Sequence, residues 1–130
     1  MIVLDASVLV VALADDDVDG ARARTRLLDD PDLHAPQLVD LEVISVLRRL
    51  RNAGEIQERR AVEALEDLLE LALARHPHWP FAARIWELRA NLTPYDASYV
   101  ALAERLGCTL VTGDRRIART AGIRCDVEIL

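Results

Sequence analysis

Short apolar runs alternating with longer amphipathic stretches predict an α/β fold, with helices covering both faces of a mostly parallel central sheet. Two further observations support that class. The runs Met1-Ile2-Val3-Leu4 and Cys108-Thr109-Leu110-Val111-Thr112 lack the in-and-out alternation of a half-exposed strand, so both read as strands buried on two sides. The chain of 130 residues is 52% apolar but only 4% aromatic, so its core is built from Ala, Val, Leu and Ile. With no linker, repeat or low-complexity block, residues 1–130 read as one domain.

The elements follow in order. Met1–Leu4 is a strand that ends at Asp5, and Ala6–Ala14 is a helix closed by Asp15-Asp16-Asp17. Gly20–Leu28 has the period of a charged amphipathic helix. Pro31–Ala35 is a brief strand, and Pro36 opens a helix that runs to Asn52, with Gly54 as its stop. Glu55–Leu69 is a further amphipathic helix, followed by a strand at Leu71–Arg75 and a turn-like Arg75-His76-Pro77-His78-Trp79-Pro80. Phe81–Ala90 is helical, and Trp79, Phe81 and Trp86 read as core. Thr93-Pro94 starts an alanine-rich helix that ends at Leu106 before Gly107. Cys108–Thr112 is a strand, Asp114–Thr120 a short helix and Ile123–Ile129 the last strand. In such sheets ligands sit beyond the carboxyl ends of the strands, so polar residues there are the functional candidates.

Charge narrows the function. Acids outnumber bases by 22 to 16, the net charge is −6, and all 16 bases are arginine. That excludes a protein gripping nucleic acid by overall positive charge, and the scarcity of rings excludes an extended stacking platform. A nucleic-acid role would need a local site. Cys108 and Cys125 lack metal-ligand spacing and are too few for a disulfide framework; they read as small buried hydrophobes in a reducing compartment. The apolar start has no basic flank and is interrupted by Asp5, and no run reaches membrane-spanning length. The expectation is a cytoplasmic protein without membrane association.

Four acids stand out, each with a plainer explanation beside it. Asp5 follows the first strand and suits either a site or a helix N-cap. Asp96 lies in Thr93-Pro94-Tyr95-Asp96, a capping-box pattern, although Tyr95, Tyr99 and Leu102 place that turn against the core. Asp114, in Val111-Thr112-Gly113-Asp114, again suits a cap, yet parallel strands would bring it to the same sheet edge as Asp5. Glu42 shares a helical stripe with Ser45 and Arg49, where a solvated pair with Arg49 is the ordinary reading. Carboxylates converging in a low-dielectric cleft repel one another, and a divalent cation relieves that repulsion. Oxygen ligands without His or Cys select Mg²⁺ or Mn²⁺, cations that also bind phosphates, so the implied chemistry is metal-assisted phosphoryl hydrolysis.

Four segments carry a resemblance that runs nearly end to end. They are Ile2-Val3-Leu4-Asp5-Ala6-Ser7-Val8-Leu9, Leu41-Glu42-Val43-Ile44-Ser45-Val46-Leu47-Arg48-Arg49, Leu92-Thr93-Pro94-Tyr95-Asp96-Ala97-Ser98-Tyr99-Val100-Ala101-Leu102-Ala103 and Leu110-Val111-Thr112-Gly113-Asp114-Arg115-Arg116. The chain resembles the VapC-type PIN-domain ribonucleases, toxins of bacterial toxin–antitoxin pairs. The resemblance implies a PIN-like three-layer fold and a Mg²⁺-dependent endoribonuclease, with Mn²⁺ as a substitute. It implies an acidic site of Asp5, Glu42, Asp96 and Asp114, in which Asp5 and Asp96 ligate the metal. Ser7 and Thr112 would supply rim hydroxyls. It also implies a homodimer, an RNA substrate and a cognate VapB antitoxin.

The arginines Arg48, Arg49, Arg51, Arg115 and Arg116 flank two of these segments, and Arg115 and Arg116 are candidates for holding substrate phosphate. A phosphoacceptor receiver domain would need a lysine, and a haloacid-dehalogenase-type phosphatase would need Asp-x-Asp where this chain has Asp5-Ala6-Ser7. A non-catalytic PIN-fold module binding RNA or protein is the alternative. It would be expected to have lost acids from the quartet.

Overall fold

Ile2, Val3 and Leu4 are almost wholly buried because the strand they form, β1 (Ile2–Leu4), lies at the centre of the sheet. On one side β1 pairs with β2 (Leu33–Pro36), which pairs with β3 (Leu73–His76). On the other it pairs with β4 (Thr109–Thr112), which pairs with β5 (Val127–Ile129). All pairings are parallel and the order is β3-β2-β1-β4-β5, as residues 1–130 of this computed structural model describe. The chain therefore winds outward from β1 to β3, then returns to the far side of β1 to add β4 and β5. The carboxyl ends of β1 and β4 flank the point where the winding reverses, the crevice in which open α/β sheets bind ligands.

The helices fill two layers. Between β1 and β3 the chain forms α1 (Ala6–Ala14), α2 (Val18–Leu28), α3 (Val39–Asn52) and α4 (Glu58–Glu70), which pack around α1. After β3 come α5 (Ala82–Glu87) and α6 (Pro94–Leu106), and α6 packs on β1, β2 and β4. Right-handed crossovers put helices on opposite faces when the winding direction reverses. A single turn, α7 (Arg115–Ala118), links β4 towards β5. Twenty-eight buried apolar residues form one core, in which Tyr99 is the only fully buried Phe, Tyr or Trp. No helix is long and apolar enough to cross a membrane.

The α/β class holds, with a sheet that is parallel throughout, and several boundaries shift. Pro36 does not open a helix. It closes β2 opposite His76, the ladder continues through Gln37 N–H to His76 O at 2.8 Å, and α3 starts only at Val39. α2 starts at Val18 rather than Gly20, since Gly20 is needed inside it: a Cβ there would meet the Asp15 carbonyl oxygen at 1.8 Å. α4 begins at Glu58, not Glu55, because the chain leaves α3 through Gly54 at φ 73° and Glu55 N–H bonds back to Leu50 O. The strand expected at Leu71–Arg75 is β3 at Leu73–His76, so Arg75 and His76 belong to it and not to the following turn. Phe81–Ala90 is not one helix; 3₁₀ turns at Trp79–Phe81 and Leu88–Ala90 bracket the short α5. α7 and β5 are shorter than the predicted spans.

The ring cluster is the larger correction. Trp79 is 73% and Trp86 67% exposed, so neither belongs to the core, and Tyr95 is 64% exposed where its turn was expected to face inward. Phe81 alone packs against the core, from its margin. Both cysteines are free thiols of intermediate exposure, less buried than expected.

Candidate active site

The end of β1 is joined to the end of β4 by a chain of small polar groups. Asp5 N–H donates to Val111 O at 3.0 Å, which fixes the backbone where α1 begins. The Asp5 carboxylate caps α1 by accepting Ser7 N–H at 3.3 Å and also accepts the Ser7 hydroxyl at 3.0 Å. From β4, the buried Thr112 hydroxyl makes a short hydrogen bond to the same carboxylate. Thr112 Oγ1 in turn accepts Asp114 N–H at 3.0 Å, and Ser7 Oγ accepts Gly113 N–H at 3.0 Å. A Cβ at Gly113 would lie 3.3 Å from Ser7 Oγ, so this residue is small because the two strand ends approach closely. Ser7 and Thr112 thus set the rotamer of Asp5.

Asp114 caps α7 through Arg116 N–H at 2.8 Å, and the Arg116 guanidinium also grips its carboxylate. That hydrogen bonding holds the Asp114 carboxyl below the usual carboxylate range. Asp96 sits in the first turn of α6, where Thr93 Oγ1 accepts its N–H at 3.2 Å as the helix cap. Burial raises the Asp96 carboxyl, the Thr93 hydroxyl opposes that rise, and the charges of Asp5 and Asp114 add to it. Capping and participation in a site are therefore compatible for Asp5 and Asp114, while Asp96 leaves the capping to Thr93.

Glu42 departs from its ordinary reading. Ser45 and Arg49 are exposed, whereas Glu42 is half-buried and turns inward to accept a short hydrogen bond from the Tyr99 hydroxyl. Burial raises its carboxyl, Tyr99 lowers it, and Asp5 and Asp96 raise it further. Tyr99, treated in the sequence as core, is the residue that reasoning from spacing missed. Its available signal is that it follows Asp96 by three positions and is the one ring the core encloses, whose hydroxyl therefore needs a partner. Burial and the Glu42 carboxylate push its phenol far up, so it is a permanent donor.

The structure thus brings Asp5, Glu42, Asp96 and Asp114 to one sheet edge, close enough for their charges to act on one another. Ser7, Thr112 and Arg116 lie among them. Arg115 and Arg49 are exposed, Arg48 lines a groove between α3 and α4, and Arg51 pairs with Glu58 at 2.6 Å. Beside the acids a cavity of about 580 Å³ opens between α1, α2 and α7, lined by Ser7, Arg22, Gly113, Asp114 and Arg116.

The donor set suits a hard divalent cation: oxygen ligands only, two of them half-buried carboxyls raised by burial and by like charge. No three acids are close enough, as their side chains stand, to ligate one ion together. Ligation by two carboxylates with the remaining positions filled by water is the usual mode of Mg²⁺.

The sequence profile of the PIN domain family matches residues 2–123. The chain is 44% identical to ribonuclease VapC9 of Mycobacterium tuberculosis over 130 residues, covering 100% of this chain and 98% of the relative. The crystal structure of VapC20 of Mycobacterium tuberculosis, described as a sarcin–ricin loop cleaving toxin, superposes with a TM-score of 0.72 at 20% identity, covering 95% of this chain and 97% of that one. VapBC2 of Rickettsia felis, solved bound to a promoter DNA fragment, superposes with a TM-score of 0.70 at 16% identity over 99% and 98% of the chains. These structures share the fold, and the closer sequence match extends the likeness to the named ribonucleases. The chain belongs to the PIN domain family, within its VapC ribonuclease group.

Proposed function

We propose that this chain is the toxin of a VapBC pair, a Mg²⁺-dependent endoribonuclease that acts in the cytoplasm and hydrolyses phosphodiester bonds of RNA. One observation carries the reading: two half-buried carboxyls, Glu42 and Asp96, feel the charge of Asp5, and Asp96 that of Asp114, at the reversal point of the sheet, with Arg116 the one cation of the chain paired to any of the four. Asp5 and Asp96 would hold Mg²⁺, or Mn²⁺ in its place. When bound, the cation offsets the charge of the scissile phosphate and makes water more acidic.

The chain's own groups do the positioning. The Ser7 and Thr112 hydroxyls lock Asp5, so its free lone pairs keep one direction. Tyr99 orients Glu42, whose raised carboxyl is a better proton acceptor than an ordinary glutamate. Glu42 or Asp114 orients the attacking water and takes its proton. Water then bonds to phosphorus, the bond to the leaving ribose oxygen breaks and that oxygen takes a proton from solvent, which leaves one phosphate end and one hydroxyl end. Arg115 and Arg116 would bind phosphates beside the scissile one.

Partners follow from the surface. Leu41 is 71% exposed on α3, Val62 on α4 is also exposed, and both tryptophans lie open on another side. Exposed apolar groups on this scale fit covered surfaces, here a homodimer and a VapB antitoxin. The complex of VapBC2 supports that reading by likeness.

Asp5→Ala and Asp96→Ala test the site. Each variant is expected to stay folded by circular dichroism and to lose RNA cleavage by at least a hundredfold (about 3 kcal/mol of barrier). Cleavage at the wild-type rate by a folded variant would overturn this site, and RNA binding without cleavage by the wild type would make the chain a binding module instead.

A further inference from the structure

Of the four acids, only Asp114 carries a cation supplied by the chain itself. Asp5 is held by hydroxyls and a backbone N–H, Glu42 by the Tyr99 phenol and Asp96 by the Thr93 turn. Asp114 is different. Arg116 Nε lies 3.0 Å from each of its carboxylate oxygens, and Nη2 lies 2.5 Å from Oδ2. The Arg116 charge also acts on Asp96 across the site. A positive group therefore already occupies the region where a divalent cation would relieve the acids.

The grip is local and reversible. The Arg116 side chain is 86% exposed, and its guanidinium bonds to nothing except Asp114. Exposed ion pairs are weak and are exchanged readily. Arg116 also lines the cavity of about 580 Å³, and Arg22 on α2 lines the same cavity. Arg22 is exposed, with its guanidinium in no ion pair. A guanidinium released from Asp114 thus shares the cavity with that of Arg22, and with the Asp19 carboxylate, and two planar forks suit the oxygens of a phosphodiester.

We infer that Arg116 is a charge placeholder: it neutralises Asp114 until a divalent cation takes that role, then joins Arg22 in binding a phosphate of the polynucleotide. This inference rests on the proposed cation site and adds a coupling to it. Cation and polynucleotide binding favour one another, and by linkage the effect is reciprocal. Arg22 becomes a substrate-positioning residue on a helix that none of the four motif segments reaches.

The test uses the full chain, Mn²⁺ followed by its electron paramagnetic resonance signal, and a single-stranded 2′-deoxy oligonucleotide that lacks the ribose hydroxyl. In the wild type, the oligonucleotide is expected to tighten Mn²⁺ binding. Arg116→Gln is expected to bind Mn²⁺ roughly three- to tenfold more tightly than wild type without oligonucleotide, the loss of one weak exposed competitor. In that variant the oligonucleotide tightens Mn²⁺ binding less than in the wild type, because only the direct attraction between cation and phosphate remains. Arg22→Gln is expected to leave Mn²⁺ affinity unchanged while weakening the oligonucleotide and reducing the coupling. Unchanged or weaker Mn²⁺ binding by Arg116→Gln, or full coupling in its presence, would overturn the placeholder role. Asp5→Asn reports on the cation site separately: if it binds Mn²⁺ as the wild type does, the proposed site itself fails. Equal thermal unfolding of the Arg116 and Arg22 variants guards the comparison, since both residues are exposed.

Discussion

Tyr99 and Glu42 are 57 positions apart, yet each explains the other's placement. A phenol enclosed in an aliphatic core must satisfy its hydroxyl, and a glutamate drawn into a cleft must offset its desolvation. Their hydrogen bond does both. Because that bond lowers a carboxyl that burial has raised, removing it should raise Glu42 further. Tyr99→Phe is therefore expected to shift the acid limb of the cleavage–pH profile to higher pH, since Glu42 must then be deprotonated against a larger cost. Stability should fall by only about 1 kcal/mol, the net worth of one hydrogen bond. An unmoved acid limb would show that Glu42 is not the titrating group.

At the level of elements, the pair Arg84–Glu104 ties α5 to α6, the helix that delivers Asp96. Arg84 lies 2.7 Å from Glu104 Oε2 with both side chains largely buried, and Arg124 N–H donates to the same carboxylate at 2.8 Å. Burial raises the Glu104 carboxyl, but the Arg84 and Arg124 interactions outweigh it and leave it below its ordinary value. Its stabilisation is thus fully present above the unfolded carboxyl range and is lost as pH falls through the lowered folded value. Glu104→Gln is expected to cost roughly 1–3 kcal/mol at neutral pH, because it removes a charged partner of a largely buried guanidinium, which keeps only Glu87 at 2.9 Å and Gly122 O at 2.6 Å. Chemical denaturation should show that difference shrinking on acidification.

The same elements show what the sequence made legible. The carboxyl ends of β1 and β4, the acids that follow them and the Thr93 cap are readable, because caps and buried apolar runs are local signals. Pro36 and the onset of α3 are not, because the ladder to β3 decides them. Trp79 and Trp86 were misplaced, because ring size favours burial on average and nothing local marks a ring as exposed. The grip of Arg116 on Asp114 depends on a one-turn helix whose length sequence did not set.

Across the whole molecule, a net charge of −6 coexists with a reading as an RNA-cutting protein because charge is distributed unevenly. The winding order places β1 and β4 side by side, and their carboxyl ends collect acids from four distant segments. Assembled at that edge, the acids repel each other and a phosphate alike, so function there requires an added positive charge. In the proposed function that charge is a divalent cation. Cleavage of single-stranded RNA by chelator-stripped protein, followed as Mg²⁺ is restored, tests it most directly. The expected result is no cleavage without the cation and saturable recovery with it, absent in Asp96→Asn. Cleavage by the stripped protein at the rate seen with Mg²⁺ would contradict it.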